Sequence, residues 1–123
     1  MLPQARAWMR YRRRVTYQFM LMSLEADVLR VLADPLRLQI VGLLAGEALC
    51  TCHLVEVTGA RQTNLSNHLR ILRDAGLVKT EPCGRFTYYK LCPDALDALG
   101  NHLHGLAAAA RDTAERDRKR PCS

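Results

Sequence analysis

The chain of 123 residues fits one domain with a modest core. Hydrophobic residues make up 49% of it, but Arg and Asp break every apolar stretch well short of the roughly 18 consecutive apolar residues a bilayer crossing requires. The formal charge of +6 is uneven: residues 1–24 hold five Arg and no acid, whereas residues 25–110 hold eight basic and nine acidic side chains. The sum alone therefore says little about partners.

The first 22 residues read as a basic arm without a clear apolar period, with Met20 and Met22 as alternative starts. Arg10 to Arg14 followed by Val15 to Met22 imitates a secretory leader. Thr16 and Gln18 interrupt its apolar part, however, and Glu25 and Asp27 stand where a small-residue cleavage site belongs. A cytoplasmic protein is expected. Leu24, Val28, Leu29 and Leu32 recur at helical spacing, and Asp34-Pro35 supplies an N-cap and a first-turn proline for a second helix through Ile40, Val41 and Leu44 to Gly46.

A short helix is expected from Cys52 to Thr58, stopped by Gly59, and a longer one from Gln62 to Asp74, ending before Gly76. Leu65, Leu69 and Leu72 fall on one stripe of the longer helix, so the pair forms a helix-turn-helix. Beyond Gly76 the texture turns strand-like, with Leu77–Glu81 and Phe86–Leu91 flanking a turn at Pro82 to Arg85. Asp94 to Ala110 returns to helix with Leu96, Leu99, Leu103 and Leu106 on one face. The expected fold is mainly α with a small β-hairpin, a winged helix-turn-helix over residues 23–110, followed by a charged tail at 111–123.

Turning the leucine stripe inward leaves Gln62, Thr63, Asn64, Ser66, Asn67, Arg70 and Arg73 toward the outside as candidate DNA contacts, with His68 on the flank as a partly packed side chain that ranks last among those candidates. Amides, hydroxyls and guanidinium groups are what base edges and phosphates bind. Within residues 61–90, Arg61, Arg70, Arg73, Lys79, Arg85 and Lys90 face only Asp74 and Glu81, a local excess suited to a phosphate backbone. Arg85, beside the turn glycine, can reach a phosphate or an adjacent minor groove. The reading is double-stranded DNA as partner, with no membrane role. No phosphate-cradling glycine loop, Ser/His/Asp pattern or apolar carboxylate pair suggests an enzyme.

The five cysteines, Cys50, Cys52, Cys83, Cys92 and Cys122, are expected as free or metal-bound thiols rather than a disulfide framework. Cys50 and Cys52 form a C-x-C pair. At i and i+2 of a regular helix two side chains point about 200° apart, so one soft ion can hold both only if that helix start is irregular or becomes so. His53 adjoins the pair and offers a nitrogen, but it is read as solvated.

Leu32-Ala-Asp-Pro-Leu-Arg-Leu-Gln-Ile40, Leu49-Cys-Thr-Cys52, Gln62-Thr-Asn-Leu-Ser-Asn-His-Leu69, Leu72-Arg-Asp-Ala-Gly-Leu-Val78 and Gly84-Arg-Phe-Thr-Tyr-Tyr-Lys-Leu91 resemble the ArsR/SmtB family of metal-sensing repressors. The resemblance covers about Leu24 to Leu106. It implies a homodimer joined through the first and last helices, a recognition helix at Gln62 to Asp74, a wing at Val78 to Leu91, and release of DNA when a thiophilic ion binds. As(III) or Sb(III) is favoured as inducer, with Cd²⁺, Pb²⁺ or Zn²⁺ as further candidates and no organic cofactor. Arg61 opens the recognition helix where the family often has Ser. Arsenic sensors of the C-x-C type add a third Cys three residues on, where this chain has Val55. Cys122 is the favoured substitute, with Cys92 and Cys83 as alternatives. The family's other zinc site, across the last helices, is not carried over, because His102 and His104 lack the matching Asp. Two further readings remain: a repressor of the same fold sensing thiol oxidation through Cys50 and Cys52, and a pure protein-interaction module.

Overall fold

The computed structural model describes residues 24–122, so the basic arm expected at 1–22 lies outside it. Helix α1 covers 24–32, α2 Pro35–Gly46, α3 Thr51–Thr58, α4 Gln62–Asp74 and α5 Pro93–Glu115. Three strands, β1 (Leu49–Cys50), β2 (Val78–Cys83) and β3 (Phe86–Leu91), form an antiparallel sheet in the order β1-β3-β2. The architecture is a winged helix-turn-helix.

Ile40, Val41 and Leu44 from α2, Leu54 from α3 and the stripe Leu65, Leu69 and Leu72 from α4 meet Leu49, Leu77 and Val78 in one core. Ile40, Leu54, Leu65, Leu72 and Leu77 are fully buried. Leu69 is 1% exposed, so Leu69→Ala is expected to cost about 2–5 kcal/mol, the range for truncating a core leucine, as read from denaturant midpoints.

The two bends around α4 are fixed by glycine. Gly59 closes α3 at φ 72°, its N–H donating to the Val55 carbonyl at 2.9 Å, and the Thr58 hydroxyl accepts the Ala60 N–H. After α4, Gly76 at φ 78° donates to Arg73 O and Leu77 donates to Leu72 O, the paired bonds of a Schellman ending with two buried leucines beneath it. Any side chain at Gly76 would be strained there.

Four features depart from the sequence reading. Strand β2 continues through Pro82 and Cys83, leaving a two-residue turn of Gly84 (φ 61°) and Arg85. Pro82 is tolerated because β2 is an edge strand, where its missing N–H need not serve the ladder. Strand β1 was not foreseen; Leu49 pairs with Tyr89 and Cys50 with Tyr88. Asp34 adopts the extended N-cap backbone but makes no side-chain cap, and its Oδ2 is buried without a hydrogen-bond partner among the described residues. Finally, α5 runs through Glu115 instead of stopping at Ala110. Nothing in Arg111–Glu115 breaks a helix, and Arg116 bonds Asp112 one turn back at 3.1 Å.

Candidate functional site

Helix α4 carries a polar outer surface because its leucines take the inner one. Gln62, Thr63, Asn64, Ser66, Asn67, Arg70 and Arg73 are all exposed. Gln62, Thr63, Ser66, Asn67, Arg70 and Arg73 line a single open concavity. Arg70 Nη2 donates to Asn67 Oδ1 at 2.7 Å, so the two side chains are held together, leaving the carboxamide nitrogen and the rest of the guanidinium fork free to donate. Arg61 makes no side-chain cap at the start of α4.

His68 is half-buried and does not join that surface. Arg37 Nη1 lies 3.1 Å from its Nδ1, while Arg37 Nε donates to the Val31 carbonyl at 2.6 Å. A guanidinium only donates, so Nδ1 of His68 accepts. Arg37 therefore ties the end of α1 to α4, a positioning role that sequence reading missed because nothing in the spacing marks it.

Arg85 stands exposed at the tip of the wing. The hairpin's single acid, Glu81, pairs with Lys90 across the strands. The hydrogen bond and charge of Lys90, with a smaller contribution from Lys79, hold its carboxyl below the usual range. The wing thus offers no unbalanced negative charge to a phosphate backbone.

The thiol site lies at the junction of β1 and α3. Cys50, 4% exposed, is the last residue of β1 and the N-cap of α3, with extended backbone (φ −88°, ψ 169°). Cys52 is exposed in the first turn. Because Cys50 is not helical, the 200° divergence of a regular helix does not arise: the Cα atoms are 5.5 Å apart and the two sulfurs are in bonding contact. The expectation of free thiols thus meets a junction that also permits their union.

His53 is not the solvated side chain expected. Half-buried, its Nδ1 accepts the Cys50 backbone N–H at 3.3 Å and lies 3.2 Å from Cys50 Sγ. Its ring is tilted against Tyr88 of β3, centroids 6.2 Å apart. The sulfurs of Cys50 and Cys52 and a ring nitrogen of His53 all fall within 4.8 Å of one another, the group suited to a metal ion among the described residues. Cys122 and Cys83 are exposed, and Cys92 stands at the N-cap position of α5 without a side-chain cap; none belongs to the group. His53 takes N3 of a capping box only because α3 starts at Thr51, one residue before the start expected from the sequence, and Cys-x-x-His is not the usual signature of such a box. His102 bonds Glu25 of α1 at 3.2 Å.

The leucine face of α5 divides in two. Leu96 packs against the core and Leu99 is buried, whereas Leu103 and Leu106 are 46% and 56% exposed. Leu24 and Leu29 of α1, the helix that His102 contacts, are exposed as well.

Residues 34–80 match the model of the bacterial regulatory proteins of the arsR family. The arsenical resistance operon repressor of Staphylococcus xylosus is 40% identical over 63% of this chain and 75% of its own length. A crystal structure described as a possible transcriptional regulator for arsenical resistance superposes with a TM-score of 0.61 at 33% identity, covering 76% of this chain and 98% of the other. The homodimeric winged helix-turn-helix DNA-binding domain of Mb0332 from Mycobacterium bovis superposes with a TM-score of 0.59 at 27% identity, over 85% and 94%.

Proposed function

This chain belongs to the arsR family of bacterial regulatory proteins, and from that premise we propose that it is a homodimeric cytoplasmic repressor whose operator DNA is released when a thiophilic metal or metalloid ion engages Cys50 and Cys52. As(III) and Sb(III) are the first candidates, in line with the resistance named for its relatives, followed by Cd²⁺, Pb²⁺ and Zn²⁺. The observation that carries the reading is the convergence of two sulfurs on the N-cap of α3, the helix that abuts the DNA-reading helix through the Gly59 turn. A soft ion suits such donors better than Mg²⁺ or Ca²⁺ does. The donors fit once the two sulfurs, here in bonding contact, are reduced and part as thiolates: Cys50 Sγ and His53 Nδ1, at 3.2 Å, are already near the separation of roughly 3.5 Å expected for neighbouring tetrahedral ligands with bonds of about 2.0–2.3 Å.

In the repressing state, Ser66, Asn67 and Arg70 read or position the major groove, aided by Gln62, Thr63, Asn64 and Arg73, and Arg85 contacts the backbone from the wing. The exposed leucines of α1 and α5 join two protomers, so that two α4 helices meet two half-sites. Gel shift with a duplex from the promoter of its own gene, titrated with arsenite, antimonite and cadmium, tests the whole reading. Asn67→Ala and Arg70→Ala are each expected to weaken operator binding by about 1–3 kcal/mol, and Arg85→Ala to weaken it less and uniformly across sequences. Unchanged affinity in the Asn67/Arg70 double variant would place the reading head elsewhere.

The bonding contact of the two sulfurs favours a second reading, release on oxidation. One equivalent of peroxide would take two thiols to a disulfide and two waters. Release by peroxide in the presence of a chelator, with none by metal ions under reducing conditions, selects it.

A further inference from the structure

We propose that His53 is the third ligand of the Cys50/Cys52 site, that its Nδ1 leaves the cap of α3 to bind, and that the resulting two-sulfur, one-nitrogen set selects a divalent ion of the zinc group, Zn²⁺ or Cd²⁺, over a trivalent metalloid. This rests on the reading of Cys50 and Cys52 as the inducer site and reorders its candidate inducers, Zn²⁺ and Cd²⁺ moving ahead of As(III) and Sb(III).

Accepting the Cys50 N–H fixes Nδ1 as the unprotonated nitrogen, with its lone pair aimed at the N-cap. The same nitrogen lies 3.2 Å from Cys50 Sγ. Imidazole nitrogen beside thiolate is a donor set of zinc centres, whereas arsenic(III), soft and thiophilic, prefers as its third donor a thiolate that this group lacks. Of the other cysteines, Cys83 sits at the wing tip, Cys92 at the start of α5 and Cys122 beyond its end.

Nδ1 has one lone pair, so binding an ion and accepting the Cys50 N–H exclude each other. Once His53 ligates, the capping box opens and an N–H at the end of β1 loses its side-chain partner. The ring also moves relative to Tyr88 of β3, the residue paired with Cys50. The wing and α3 thus both sense occupancy.

The experiment uses the full chain, reduced by a phosphine, with Zn²⁺ and arsenite affinities measured by competition. Glutamine is the usual partner at N3 of a capping box, so His53→Gln keeps the cap and the thermal midpoint while removing the nitrogen ligand. It is expected to weaken Zn²⁺ by at least about 100-fold, since losing merely an outer-shell partner already costs a metal site up to about that much, and to leave arsenite affinity unchanged. His53→Gln binding Zn²⁺ like wild type, while Cys50→Ser does not, overturns the ligand assignment and leaves the inducer site standing. Wild-type Zn²⁺ and arsenite affinity in Cys50→Ser overturns both. Equal loss of Zn²⁺ and arsenite in His53→Gln, with an unchanged thermal midpoint, keeps the ligand and overturns the selectivity.

Discussion

Cys50→Ser and Cys52→Ser will each hold operator DNA at inducer concentrations that free the wild-type protein. Removing either thiolate takes away half the sulfur grip on the ion, and neither residue lies on α4, so apo binding should survive. Serine is well suited to position 50. Cys50 occupies the N-cap of α3, where its side chain accepts the His53 backbone N–H, and serine is among the preferred residues there. Couplings between effector and ligand sites are typically about 1–3 kcal/mol, or 5–150-fold in affinity; fluorescence anisotropy on a labelled operator should register a shift of that order in the wild type and none in the variants. The serine variants of Cys83, Cys92 and Cys122 in the same assay should respond as wild type. Release of DNA by both C-x-C variants at wild-type inducer concentrations would move the sensor elsewhere while leaving the fold untouched.

Leu103→Asp is expected to give a folded monomer that has lost operator binding. Leu103 is 46% exposed and lies outside the core, so a carboxylate there should cost the protomer little. In the proposed dimer the same position is covered together with the exposed leucines Leu106, Leu24 and Leu29, and burying an unpaired charge there is expensive. A monomer presents one α4, losing half the contacts and the fixed half-site spacing. Light scattering on both proteins and gel shift on the variant check this; a wild-type monomer at micromolar concentration would sink it.

The parts of the molecule that local spacing determines were legible in the sequence. Leu65, Leu69 and Leu72 sit on the inner stripe of α4 as their periodicity requires, Pro35 opens α2, and Gly59 and Gly76 take the left-handed conformations that end α3 and α4. The exposed polar residues of α4 follow from that stripe. What escaped is what distance in sequence creates. Strand β1 is two residues long and exists only by pairing with β3, nearly forty positions on. Arg37 meets His68 thirty-one residues away. His53 looked like a surface histidine because its partners are a backbone N–H exposed by an irregular helix start and a tyrosine from the wing. The pattern Leu96 to Leu106 gave one face but not its division, since periodicity cannot say where the protomer's own core stops.

The pairing of Leu49 with Tyr89 and Cys50 with Tyr88 bears on how such a sensor can diversify. Segment 49–53 is not a cassette to be exchanged between relatives by itself, because its backbone is stitched to the wing and its histidine leans on Tyr88. A donor sequence with different ligands would arrive facing the wrong tyrosine. Replacements at 53 and 88 should therefore travel as linked substitutions, and a graft that alters ion preference should carry both strands of the ladder.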